Sequence, residues 1–214
     1  MAELRTEEEQ IEAIKNWWDD NGKTVLIGAV LVLASYFGVN TYKDHVRGQG
    51  EQASAIYQQA LELVDQKGEA EQAKKAQLFN QLKTEFSSTP YAKFAALFLA
   101  KDAVEAADFA MAETELRYVQ QNPVDEPMKM LATVRLAMVL NEEKKYDEAL
   151  ALVTGVESGA FAAQYLEVKG DILFAQGNND AARDAYQLAK AAVQLAGTSN
   201  PVLDMKLDNL AVAQ

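Results

Sequence analysis

Nineteen consecutive uncharged residues, Thr24 to Tyr42, constrain this chain more than any other feature. The run reads TVLIGAVLVLASYFGVNTY and is bracketed by Lys23 and Lys43. As a helix rising about 1.5 Å per residue it would span about 28 Å, close to the roughly 30 Å hydrocarbon layer of a bilayer. Nine of its residues are Val, Leu, Ile or Phe, and at about −0.3 to −0.6 kcal/mol each they favour insertion by about 3–5 kcal/mol. Trp17 and Trp18 precede the run, and Tyr36, Phe37 and Tyr42 stand at its far end. Amphipathic rings prefer the two membrane–water interfaces. Together with Leu26, Ile27, Leu31 and Leu33 they form the expected anchor in the lipid bilayer. A buried core helix would show a polar face, and this run has none. A cleaved leader is the other competitor, because Val32-Leu33-Ala34 loosely resembles a small-residue cleavage site. A leader needs a short basic start, however, and the first 23 residues carry seven acids against three bases. The expected organisation is a tail at 1–23, a transmembrane helix at 24–42 and a helical domain at 43–214. Lys15 and Lys23 on one side against Lys43 and Arg47 on the other leave the positive-inside rule nearly silent on orientation.

In the tail, Thr6 followed by Glu7, Glu8 and Glu9 reads as a capping box. Ile11, Ile14 and Trp18 then share one helical face, giving either a simple lead into the span or a small docking surface. Asn21-Gly22 is a candidate break before the membrane.

Beyond the span the composition is rich in Ala, Leu, Gln and Glu, with four prolines, which favours an all-α fold. Helices are expected at about 46–66 and 69–86. Thr89 caps the next, with Pro90 at its first position. Asn122-Pro123 and Glu126-Pro127 mark a break, and Asn200-Pro201 opens the last helix.

An internal repeat organises this region. Ala137, Leu140, Ala149 and Val153 recur 33 residues later as Gly170, Leu173, Ala182 and Tyr186, with Ala189 following. Ala100, Ala103, Ala112, Leu116 and Val119 precede the same places by 37 residues, and the four extra residues fit the proline-bearing linker. Small residues let paired antiparallel helices approach closely, and the large ones fill the gaps between them. Such hairpins bury their faces only by stacking. The pattern resembles the tetratricopeptide repeat, a unit of about 34 residues. Leu203, Leu207 and Leu210 would close the open end. The fold class is therefore all-α: one transmembrane helix and a tetratricopeptide-like α-solenoid, whose inner surface suits a peptide or another protein.

Other chemistries find little support. Without cysteine there is no disulfide or thiolate metal site. A net charge of −12 argues against nucleic acid. His45, the one histidine, has no nucleophile or further ligand in the pattern. Gly48 and Gly50 lack the Lys and Ser of a phosphate loop. Asn178-Asn179-Asp180 falls where the repeat needs a turn and helix cap rather than a calcium site. Tyr91, Phe94 and Phe98 form an aromatic stripe that reads as core packing or as an aromatic wall for unfolded segments. No cofactor and no enzymatic activity are expected.

The tail EQIEAIKNWWDDNGK and the span that follows it resemble the start of the YfgM family of Gram-negative inner-membrane proteins. Val134-Arg135-Leu136-Ala137, Gly170-Asp171, Ala182-Arg183-Asp184-Ala185-Tyr186 and the ending Met205-Lys206-Leu207-Asp208-Asn209-Leu210 extend the likeness over nearly the whole chain. The resemblance implies an ancillary subunit of the SecYEG translocon, with the tail cytoplasmic and the repeat domain periplasmic. It also implies association with a PpiD-like periplasmic chaperone and transfer of emerging client polypeptides. A regulatory link to the Rcs stress response is implied as well, which leaves a second reading: an adaptor holding a signalling protein through its tail. The family supplies no catalytic residues.

Overall fold

The computed structural model describes residues 7–156 and 159–212. Thr6, and with it the expected capping box, lies outside the described residues. Among the described residues the structure is helical throughout, without strands. The chain divides into two compact units between Glu51 and Gln52, and α1, Glu7–Leu61, runs through that division.

In the first unit, α1 passes through Asn21-Gly22 without a break. Asn21 Nδ2 donates to the Trp17 carbonyl at 3.0 Å, and Gly22 is buried beneath the Trp18 indole. A helical glycine costs about 1 kcal/mol relative to alanine; it is tolerated inside a long, cooperative helix. The helix is long and apolar enough to cross a membrane, and none of its most apolar 18-residue window is buried. The helix expected at 46–66 is the end of α1, which stops at Leu61.

In the second unit, the last turns of α1 pack on α2 (Glu69–Glu85) and α3 (Pro90–Glu105) through Ala53, Ala60, Phe79, Leu82 and Ala95. Hairpins follow: α3 with α4 (Phe109–Gln121), α5 (Glu126–Glu142) with α6 (Tyr146–Val153), and α7 (Ala162–Ala175) with α8 (Asn179–Leu195). α9, Pro201–Val212, packs on α8. α4 also packs on α5, and α7 on both α5 and α6, so neighbouring hairpins stack.

The repeat register is written into the backbone as well as the side chains. Ala107, Lys144 and Gly177, separated by the same shifts of 37 and 33, adopt φ of 56°, 61° and 81°. After each, the next amide donates back across the helix end: Asp108 to the Ala103 carbonyl at 2.8 Å, Lys145 to Leu140 at 2.8 Å, and Asn178 to Leu173 at 2.9 Å. This is the left-handed helix stop that reverses the chain and satisfies otherwise orphaned carbonyls. Glycine adopts it without penalty; Ala107 and Lys144 each carry a Cβ that disfavours it.

Caps follow local chemistry. Asp108, Asp125 and Asn178 accept from the amides of Met111, Met128 and Ala181, and Asn200 accepts from Leu203 N at 3.1 Å. Thr89 stands at the expected N-cap with Pro90 behind it, but its hydroxyl donates to the Phe86 carbonyl at 2.8 Å instead of capping α3. Pro127 sits inside the first turn of α5, where its missing N–H costs nothing, so the break lies at 122–125 and not at Glu126-Pro127.

Candidate functional site: a groove along the first helices of the hairpins

The positions that carry the repeat are inside the stack. Ala100, Ala112, Leu116, Ala137, Leu140 and Ala149 are buried, as are Val153, Gly170, Ala182, Tyr186 and Ala189; Leu173 is half-buried. Ala100, Ala112, Leu116, Ala137, Leu140, Ala149 and Val153 belong to one cluster that spans α3 to α6 and reaches Tyr165 and Ile172 of α7. Gly170 is the point of closest approach: the Tyr186 ring lies where its Cβ would stand.

α3 and α5 line a groove of about 1050 Å³ with Tyr57 of α1, Phe109 and Leu116 of α4, and Phe161 and Gln164 at the start of α7; Ala100 and Leu116 of the packing set reach its floor. Its aromatic end is built by Tyr57, Phe94 and Phe98. The Tyr57 ring lies 6.0 Å from Phe94 and 6.3 Å from Phe98, and Phe98 stacks on buried Phe79 at 5.0 Å. The stripe expected at Tyr91, Phe94 and Phe98 thus has a double role: it packs the junction of α1, α2 and α3, and two of its rings face the groove. Burial, with Tyr91 adding to it, pushes the Tyr57 phenol up, so it remains a neutral donor. The floor continues with Leu131, Met128 and Val139, and Met138 is 50% exposed within it. Lys101, Glu105, Arg135 and Glu142 border it. The volume is at the top of the range of about 300–1,000 Å³ usual for small-molecule pockets.

Ion pairs brace the wall behind the groove. Lys75, almost fully buried, reaches Asp102 at 2.9 Å, and Lys83 pairs with buried Glu115. Lys145 reaches Glu113 at 2.7 Å, and Arg117 bridges Glu113 and Glu148. Hydrogen bonds from Lys145 and Arg117 outweigh desolvation and hold the Glu113 carboxyl down at about 2. The C-terminal end is latched by Lys206, which bridges Glu167 at 2.7 Å and Asp171 at 2.8 Å, while Tyr186 donates to Asp171 at 2.7 Å. Burial opposes the Lys206 charge, but the two carboxylates overcome it and raise its pKa.

The residues expected to anchor the chain in a bilayer lie in the other unit. Trp17, Trp18, Leu26, Ile27, Leu31 and Leu33 are all exposed on α1, as are Tyr36, Phe37 and Tyr42. His45 is exposed on the same helix. Among the described residues no group of three or more His, Cys, Asp or Glu side chains is placed to hold a metal ion.

The groove residues Lys101, Arg135, Met138 and Glu142 do not emerge from sequence reasoning. On a helix, an exposed charge in a groove reads like any solvated one. Met138, apolar at a position left over by the packing register, is the signal that was available.

A family model described as a tetratricopeptide repeat-like domain matches residues 15–212. Curated relatives cover the chain almost end to end. An ancillary SecYEG translocon subunit of Haemophilus influenzae is 35% identical over 211 residues, 98% of this chain and all of the relative. A protein of the same description from Aggregatibacter actinomycetemcomitans is 32% identical over 98% of this chain and all of the relative. One from Escherichia coli is 27% identical over 99% of this chain and its own full length. No solved structure matches.

Proposed function

The chain belongs to the tetratricopeptide repeat-like family of ancillary SecYEG translocon subunits, the YfgM family, and from that premise we propose that it is an accessory subunit of the SecYEG translocon that binds other polypeptides through its repeat groove. The observation that carries the reading is a groove with an apolar floor on a stack of hairpins, in a chain whose α1 can cross a membrane. The span fixes the domain beside the channel, with the tail in the cytoplasm and residues 43–214 in the periplasm. The groove holds segments of emerging clients, or a PpiD-like chaperone to which those clients pass. Helical hairpins supply no reacting group, so the role is binding and positioning.

Affinity capture of the full-length chain from gently solubilised membranes tests this. SecY, SecE and SecG, with a membrane-anchored chaperone, are expected to be enriched; their absence would overturn the reading. The adaptor reading rests on Ile11, Ile14 and Trp18, exposed on α1. A chain lacking residues 1–20 but keeping the span separates the two: loss of signalling with intact secretion favours the adaptor, whereas translocon capture that persists with signalling unchanged favours the groove.

A further inference from the structure

The ionic side chains bordering the groove follow one order. On α3, Lys101 precedes Glu105 by about one turn; on α5, Arg135 precedes Glu142 by about two. α3 and α5 are the first helices of successive hairpins, and Glu105 and Glu142 hold the same repeat position at the 37-residue shift. On each helix the basic group therefore stands one or two turns before an acid that is the helix's last residue, and the partial negative charge of helix C-termini adds to that acidic end. Lys101 and Glu105 pair loosely at 3.4 Å, both more than half exposed. Arg135 and Glu142 are exposed and, among the described residues, have no ion-pair partner. Seven residues of helix hold them about 10 Å apart, too far to neutralise each other. The stretch between them is apolar: Met138 and Val139, with Leu131 one turn before Arg135.

Resting on the reading that the groove binds polypeptides, we propose that its occupant is an amphipathic helix of another protein carrying an acid and a base about two turns apart on its apolar face. The apolar stripe lies on Phe98, Leu131 and Met138; the acid meets Arg135 and the base meets Glu142. Two turns of apolar floor between opposite charges match the i, i+3, i+4, i+7 spacing by which a helix lies in a groove. Charge pairing selects among apolar segments more than it adds affinity. A chain of net charge −12 would by bulk attraction prefer a basic ligand, so preference for a neutral, dipolar one isolates the groove's own contribution.

The test uses the full-length chain in detergent and labelled 15-residue helical peptides of one Leu/Ala template. Two positions on the apolar face, seven apart, carry Glu and Lys, two Glu, two Lys or two Gln. Anisotropy is read at about 0.15 M salt, where charges beyond about 8 Å are screened. The Glu/Lys peptide is expected to bind about three- to tenfold tighter than either same-sign peptide. Glu105→Lys with Glu142→Lys, both at exposed positions, should shift the preference to the Glu/Glu peptide. Equal binding of all four, or strongest binding of Lys/Lys to the unaltered chain, overturns the dipolar occupant while leaving groove binding intact. Equal binding of a proline-broken Glu/Lys peptide overturns the helix. No binding by any peptide counts against the groove reading itself.

Discussion

Replacing both Leu31 and Leu33 with lysine is expected to release the full-length chain from membranes washed with alkaline carbonate, while the unaltered chain stays in the pellet. Each lysine near the membrane centre costs about 2.5–3.5 kcal/mol, and each lost leucine forfeits a further 0.3–0.6 or so, about 6–8 kcal/mol for the pair. That exceeds the roughly 3–5 kcal/mol supplied by the nine large apolar side chains of the run. The test is clean because Leu31 and Leu33 are 62% and 56% exposed and belong to no buried cluster among the described residues. The repeat unit should keep its helical signal in the released chain. Alanine at both positions removes apolar area without adding charge, and that chain should remain in the pellet. Retention of the double-lysine chain would show that residues 24–42 do not anchor it.

The second large effect lies in the last hairpin. Gly170→Ala should destabilise the repeat unit by about 1–3 kcal/mol, the usual cost of overpacking. Propensity alone predicts the opposite sign, since alanine is favoured over glycine in a helix by about 1 kcal/mol. The clash decides: an added Cβ would stand 2.4 Å from two Tyr186 ring carbons. The ring cannot simply swing away. It is 2% exposed, and its hydroxyl is held by Asp171, which Lys206 also grips. Burial and the Asp171 acceptor raise the Tyr186 pKa, so the phenol stays protonated and donates to Asp171. The preceding hairpin supplies the cure, for there the corresponding repeat positions are Ala137 and the smaller Val153, both buried in one cluster. Gly170→Ala combined with Tyr186→Val should therefore lose less stability than the two single changes together, a coupling readable in thermal melts of the full-length chain. If Gly170→Ala melts at or above the unaltered chain, the tight helix pairing is not as described.

These residues also show what a sequence makes legible. The alternation of small and large positions survives in the one-dimensional chain because each hairpin must solve the same packing problem, so the register of Ala100, Ala137 and Gly170 can be read directly from the order of residues. The uncharged run at 24–42 is visible for a similar reason, since nothing else in the chain lacks charge for so long. The left-handed turn is visible only at Gly177; at Ala107 and Lys144 the same φ is imposed by the stack on residues that do not advertise it. Asn21-Gly22 misleads in the other direction, because a local turn signal loses to the cooperativity of a long helix. The Lys206 latch joins residues 35 and 39 positions apart, and no local pattern marks such a pair. Arg135 and Glu142 are illegible because a charge on an exposed helix face looks alike whether it meets water or a partner.

A photo-crosslinking amino acid at Met138, in the full-length chain within native membranes, meets a stalled secretory polypeptide most directly at the groove floor. Adducts with the emerging polypeptide or its membrane-anchored chaperone are expected from Met138, and none from the same probe at Leu188, exposed on α8 away from the groove. Equal labelling from both positions, or none from Met138 while the translocon is engaged, would contradict binding through the groove.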